Sequence, residues 1–256
     1  MTQKQIDAYL RLMDPQILEE RTHQDKSGVY GIAQRLAGYQ SNHIEGSSLT
    51  PEQTADLFLT GTREQDQTAV RVKDVEDLSG HFGMLNEALK TIRQPFTQDL
   101  IRQFHIVLKS GVWEDCINNR PAGEYKIRTN TVAGLAASPQ EAVEAGMARL
   151  ICECREILKP SLQDLAAFHA RFETIHPFHD GNGRTGQIIL FRQSLKHGMI
   201  PVTVRDSQKP AYYAGLKEYQ KTGQVNGLPD VFRRAQGLFL VDSYDFAVPY
   251  NYSQDK

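Results

Sequence analysis

One stretch constrains this chain more than any other: His176-Pro-Phe-His-Asp-Gly-Asn-Gly-Arg-Thr-Gly-Gln187. It sets an imidazole (His176), a carboxylate (Asp180), an Asn between two glycines (Gly181, Asn182, Gly183) and a guanidinium (Arg184) within about three helical turns' worth of chain. From Gln187 to His197, apolar residues at 188, 189, 191 and 195 predict a helix. The glycines therefore fall where a loop becomes a helix N-terminus. Such a start offers unpaired backbone N–H groups and the positive end of the helix dipole, and glycines let an anion come close to the backbone. The chemical reading is a phosphate cradle with a base on one side and a metal ligand beside it. It is not a P-loop, because Gly-Asn-Gly-Arg-Thr lacks the Gly-Lys spacing.

The rest of the chain is the periodic frame for this stretch. Of 256 residues, 40% are hydrophobic and 23% charged, ordinary for a globular protein. The net charge of -2 argues against a general nucleic-acid binder. No apolar run approaches the roughly 18 residues of a membrane span. Met1-Thr-Gln-Lys-Gln-Ile6 lacks the apolar core of a signal peptide, so a cytoplasmic location is expected. The three cysteines, Cys116, Cys152 and Cys154, read as reduced thiols.

Helical spacing is read over 3–22, 28–46, 51–60, 69–93, 97–110, 139–157, 161–175, 209–221 and 228–240. Thr50-Pro-Glu-Gln53, Ser138-Pro-Gln-Glu141 and Ser161-Leu-Gln-Asp164 carry helix-start signals, Pro95 ends a helix, and Gly46 suits the position past a C-terminus. A polar loop is expected over 61–67 and an aperiodic tail from about Tyr244. Residues 113–134 carry few helical signals. Alternation over Tyr125–Val132 suits a short hairpin or extended flap. The whole reads as mostly α with one β flap.

The central stretch resembles the signature of the Fic family, H-x-F-x-[D/E]-G-N-G-R-x-x-R, in every fixed letter but the last. Ser41-Asn-His-Ile-Glu45-Gly46 resembles that family's inhibitory-helix motif, [S/T]-x-x-x-E-[G/N]. Arg120-Pro-Ala-Gly-Glu-Tyr125, the segment Thr131-Val132-Ala133-Gly134, and Tyr212-Tyr213 also match. The resemblance covers about residues 28 to 235. It implies an all-α Fic fold, a helical bundle with a short β-hairpin flap. A 1–75 N-terminal region would carry the inhibitory helix (about 28–46), 76–240 the core, and 241–256 a tail.

The family resemblance further implies transfer of AMP from ATP, with Mg²⁺, onto a protein hydroxyl (Ser, Thr or Tyr), the chain itself being one candidate target. His176 is then the general base, since an ordinary imidazole titrates near about 6.5. Asp180 is the metal ligand, because Mg²⁺ prefers carboxylates and phosphate oxygens. The N–H groups of Gly181, Asn182 and Gly183, with the Asn182 side chain, would stabilise the α-phosphate, and Arg184 would grip the β-phosphate. Thr185 and Gln187 complete the nucleotide-contacting turn, with Gln220 near the base. Tyr212 and Tyr213 would flank adenine. The Thr131–Gly134 flap would pair with target backbone. Glu45, with Ser41, would restrain the site.

Gln187 is the departure. The family places there an Arg that pairs with the inhibitory Glu and contacts the γ-phosphate; Gln187 is uncharged. A weaker Glu45 clamp and looser triphosphate discrimination are expected. Other readings stay open: removal of AMP from a modified protein at the same site, a nucleotide-binding module with weak turnover, and a zinc site using His169, His176, His179 and Asp180. His43, His81 and His105 read as surface or packing residues. Homo-oligomerisation is left open.

Overall fold

The computed structural model describes residues 1–62 and 69–248, so most of the loop expected over 61–67, and the tail from 249, lie outside the described residues. The described chain is a bundle of eleven α-helices: α1 (Gln3–His23), α2 (Val29–Ile44), α3 (Pro51–Thr60), α4 (Val72–Lys90), α5 (Gln98–Lys109), α6 (Trp113–Ile117), α7 (Gln140–Glu156), α8 (Leu162–Ile175), α9 (Asn182–Lys196), α10 (Lys209–Thr222) and α11 (Leu228–Ala247). Its one sheet is a hairpin of β1 (Thr131–Val132) and β2 (Leu135–Ala136), antiparallel, with Thr131 opposite Ala136.

Two of the three start signals act as capping chemistry requires. Thr50 and Ser161 each accept the backbone N–H three residues on, and Gln53 and Asp164 reach back, closing capping boxes. At Ser138-Pro-Gln-Glu141 the N-cap is instead Pro139, whose side chain cannot accept a backbone N–H, and α7 starts at Gln140. Three elements differ from the periodicity. α6 is only five residues long, too short for a 3.6-residue period to register. α11 continues to Ala247 where the tail was expected, because Ser243 and Tyr244 turn inward: Tyr9 stacks on Tyr244, and its hydroxyl lies 2.6 Å from Ser243 Oγ. The hairpin is also shorter and later than the alternation suggested. Residues 126–130 run along the central stretch instead of pairing with a second strand. Lys126 N–H donates to Pro177 O (2.8 Å), Ile127 N–H to His179 Nε2 (3.3 Å) and Asn130 Nδ2 to Phe178 O (2.9 Å).

At the centre lies α9, against α2, α4, α5 and α8. Every residue from Arg184 to Leu195 is buried. A helix buried all round has no polar face, which is why its period is weak in sequence. Its buried polar residues need partners. Arg192, fully buried, donates from Nη2 to the carbonyls of Thr91, Ile92 and Gln94 and from Nη1 to Gln193 Oε1. It thereby ties down the turn that follows α4, from its C-cap Thr91 to Gln94. Arg192→Met keeps most of the volume but strands these acceptors. It is expected to cost about 2–4 kcal/mol, read from the midpoint of urea unfolding.

Candidate active site

The central stretch is a tight connection between α8 and α9. His176 caps α8 in a left-handed conformation (φ 51°, ψ 62°), and Gly181 caps α9 at φ 77°, where glycine carries no Cβ strain. Asn182 braces the loop: its Oδ1 accepts from Phe178 N–H (2.8 Å) and its Nδ2 donates to Phe178 O (2.9 Å). Both polar ends of that buried side chain are engaged, so it holds the loop rather than presenting an amide to a phosphate. The backbone N–H groups of α9's first turn remain without helical partners. Phe178 is fully buried and stacks on His105, ring centres 3.8 Å apart.

His105 fixes the loop from below. Its Nδ1 accepts from Gly123 N–H (2.8 Å), so Nε2 carries the proton and donates to Asp180 O (2.9 Å). Burial pushes this imidazole down to about 4. His176 is oriented similarly. Its Nδ1 lies 3.2 Å from Glu173 O and 3.5 Å from Glu173 Oε2, leaving Nε2 as the ring's acceptor. The Glu173 carboxylate is itself buried.

Asp180 stands among cations. Its Oδ2 lies 2.8 Å from Lys109 Nζ, 3.3 Å from Arg184 Nη2 and 3.6 Å from Lys73 Nζ. Burial alone would raise this carboxyl, but Arg184, Lys109 and Lys73 outweigh it and hold it well below the usual carboxylate range. Lys109, almost fully buried, also reaches Asp115 (2.6 Å) and Asp77 (3.1 Å). Arg184 Nη1 meets Asp77 at 2.6 Å. Among the described residues no protein atom bonds Asp180 Oδ1. One free carboxylate oxygen beside a phosphate cradle suits Mg²⁺, which takes few protein ligands and completes its shell with phosphate and water oxygens.

Glu45 follows α2 and precedes Gly46, which turns at φ 92°. The residue lies at the surface, but its carboxylate reaches inward over Gly183, where a Cβ would overlap its Oε1. Desolvation raises its pKa, Arg184 opposes this, and Glu173 and Asp180 reinforce it. The turn after Glu45 is tied to the start of α4. Asp74 Oδ2 accepts from Ser48 N–H (2.8 Å) and Ser48 Oγ (2.7 Å), and Arg71 bridges Asp74 (3.0 Å) to Gly46 O (2.5 Å).

Comparison with known proteins places this loop in a family. Residues 95–193 match the model of the Fic/DOC family. These residues form a Fic domain. The chain is similar to a protein adenylyltransferase Fic of Nematostella vectensis, 26% identical over 184 residues, 70% of this chain and 42% of that protein. It is 29% identical over 189 residues to one of Drosophila willistoni, 70% of this chain and 35% of the relative. The chain thus spans about two fifths of the length of these relatives. In fold it is similar to a Fic domain-containing signaling protein of Bacteroides thetaiotaomicron, with a TM-score of 0.68 at 22% identity over 95% of this chain and 89% of that one. Fic-1 (aa134–508) of C. elegans gives 0.68 at 20%, covering 91% and 70%.

Not every expected residue reaches the loop of the Fic domain. Gln187 is buried and makes no hydrogen bond to Glu45; it lines a small internal cavity with Ser41, His81 and Thr203. Ser41 Oγ and Thr185 Oγ1 are buried without partners. Tyr212 is a core residue, its hydroxyl 2.7 Å from His169 Nε2, and only its neighbour Tyr213 is half-exposed. The Gln220 side chain is buried and unpaired on α10. In the flap, Thr131 and Gly134 are exposed, Val132 is buried and Ala133 is half-buried at φ 52°. Sequence reading missed Lys73, Asp77, Lys109, Asp115 and Glu173. Only Glu173, one turn before His176, carried a local signal; the others come from distant helices.

The buried neutral histidines give a pH signature. His105 is held at about 4 and His81, by burial and then Arg184, at about 3, against an unfolded value near 6.5. A folded pKa below the unfolded one means the unfolded chain binds protons first, so stability falls as pH drops from about 6.5 toward 4. The loss for His105 is expected to reach about 3 kcal/mol. His105→Gln should show a shallower fall in unfolding midpoint over that window.

Proposed function

We propose that this Fic domain transfers AMP from ATP to a protein hydroxyl and that Glu45 restrains it. The observation that supports this most directly is the convergence on the start of α9. There the free N–H groups of its first turn, the Arg184 guanidinium and the Asp180 carboxylate stand beside His176, with the Glu45 carboxylate lying over Gly183. The relatives named protein adenylyltransferase point to the same chemistry.

In this reading the target hydroxyl attacks the α-phosphorus and loses its proton to His176 Nε2, the nitrogen left open by the Nδ1 contacts to Glu173. The new O–P bond forms as the bond to pyrophosphate breaks. The first-turn N–H groups of α9 face the charge building on the α-phosphate oxygens. Mg²⁺ at Asp180 Oδ1 would supply charge neutralisation for the departing pyrophosphate. Arg184, aligned by Asp77, faces the same charge. The outer edge of β1 is free, among the described residues, to pair with target backbone and present its hydroxyl. Glu45 opposes all of this by occupying the cradle. Because Gln187 gives it no partner, its restraint rests on Arg184 and on the anchored turn. A carboxylate at that place also suits the reverse reaction, orienting water against an AMP-modified side chain; a pre-modified target separates the two directions.

Incubation with ATP and Mg²⁺ followed by intact-mass spectrometry should show an AMP adduct on the Glu45→Gly chain or its target. The wild type should give at least about tenfold less, and a His176→Ala control none. No adduct on Glu45→Gly, with protein targets present, would sink the transfer reading. Equal activity in wild type and Glu45→Gly would sink the restraint.

The anchor gives a separate expectation. Asp74→Asn and Ser48→Ala leave the first turn of α9 and the Glu45 side chain in place, although Asp74 also lines the cavity beside them. Each should loosen the turn by about 1 kcal/mol and give adduct levels between wild type and Glu45→Gly, with faster amide exchange at Ser48.

A further inference from the structure

Gln187 carries no charge where the resembled signature has an Arg, and a second feature of the structure bears on that difference. A polar cavity of about 120 Å³ lies between the Glu45 turn and the start of α4, its walls including Glu45, Arg71, Lys73, Asp77, Asp180 and Arg184. It shares Glu45, Asp180 and Arg184 with the cradle, so the two spaces adjoin. Gln187 does not line it; that side chain faces the internal cavity on the other side, beside Ser41 and His81.

The charges in this cavity are unequally engaged. Asp74 is occupied by Ser48 and Arg71, and Asp77 by Arg184 and Lys109. Arg71 is also committed to Gly46 O. Arg184 is 3% exposed, and its Nε is buried with no partner, a donor facing no acceptor. A buried unpaired guanidinium N–H is costly unless a ligand meets it. Lys73 is the loosest cation. Its side chain is 35% exposed, and its two ion pairs, to Glu114 at 3.4 Å and Asp180 at 3.6 Å, are longer than a charge-assisted hydrogen bond prefers. An ammonium on a flexible stem in that position can leave both carboxylates for a stronger anion.

We infer that the cavity beside Asp180 is the seat of the terminal phosphates of a nucleoside triphosphate, and that Lys73 supplies the cation absent at position 187. This rests on the nucleotide-binding reading above and adds a specificity-determining residue to it. Arg184 and Lys73 then bracket the β- and γ-phosphates, and Asp77 and Lys109 hold Arg184 and Asp180 in place from behind. A nucleoside monophosphate has nothing to place in the cavity, so Lys73 distinguishes ATP from AMP without contributing to the cradle itself.

Calorimetric titration of the Glu45→Gly chain with ATP, AMP and pyrophosphate, in the presence of Mg²⁺, tests this. Glu45→Gly is used because it clears the cradle. Lys73→Met in that background should weaken ATP about tenfold and leave AMP within about twofold, while Lys73→Arg should hold ATP near the parent value. Pyrophosphate should lose affinity along with ATP, which separates recognition of the terminal phosphates from any effect on the base or ribose. Equal effects of Lys73→Met on ATP and AMP, or none on either, would overturn the inference. Because the readout is binding, the two readings fail separately. ATP preference that depends on Lys73, without any AMP adduct, would leave this inference standing and remove the transfer reading. An adduct with ATP binding indifferent to Lys73 would do the reverse.

Discussion

A helix with no solvent face must find internal partners for the charges it carries, and the architecture follows from meeting that demand for the two arginines of α9. From Arg184 to Leu195 it is enclosed by α2, α4, α5 and α8. Its apolar members, Ile188, Ile189, Phe191 and Leu195, join the main core, and Leu190 the smaller one with α8, α10 and α11. Its charged members are the informative ones. Arg192 is matched to the end of α4, and Arg184 to Asp77 on the same helix nearer its start. The two arginines thus pin α4 against α9 at two heights, and the start of α4 is what holds the Glu45 turn. The helix that supplies the anion donors is thereby connected, through buried charge, to the segment that covers them.

Buried charge is a poor source of net stability, since desolvation offsets most of the attraction, but it is a strong source of geometry. Lys109 shows the difference. Its ammonium sits among Asp77, Asp115 and Asp180, three carboxylates drawn from α4, α6 and the central loop. Removing any one would leave charge uncompensated in a place water does not reach, so the three are held at fixed distances. The consequence for Asp180 is that one oxygen is fixed by protein while the other is left outward. A site of that kind prefers a cation that brings its own water and phosphate ligands over one demanding several side chains.

The sequence disclosed this molecule unevenly, and the reason is where the information lies. Helices with one wet face, such as α1, α3 and α5, show their period, and α3 its capping box as well. The enclosed α9 shows only a short apolar recurrence over 187–197 and no cap residue, and its start at Asn182 is legible only through Gly181, Asn182 and Gly183. The central loop is contiguous, so His176, Asp180 and Arg184 could be read as a set. The resemblance assigned the Asn182 side chain to the α-phosphate, because nothing local says that Phe178 would claim both its polar ends. Tyr212 is paired with Tyr213 as an adenine-flanking aromatic until His169, forty-three residues earlier, is seen to bond its hydroxyl. Lys73, Asp77, Lys109 and Asp115 carry no motif at all. Their roles exist only because α4, α5 and α6 meet above the loop.

Gln187 illustrates how a local departure can be absorbed elsewhere. A carboxylate swung over a helix N-terminus needs something to hold it, and a charged partner on α9 is the simplest device. Here the partner position holds an amide that faces away, into a cavity shared with Ser41 and His81. The carboxylate is held instead from its own backbone: Gly46 O by Arg71, Ser48 by Asp74. A side-chain pair breaks when either rotamer changes, whereas a tethered turn must move as a unit with the first turn of α4. Lys73 sits in that same first turn. Under the proposed reading, any ligand that draws Lys73 toward itself pulls on the segment tied to the Glu45 turn, so occupancy of the cavity and movement of that carboxylate would act on one piece of backbone.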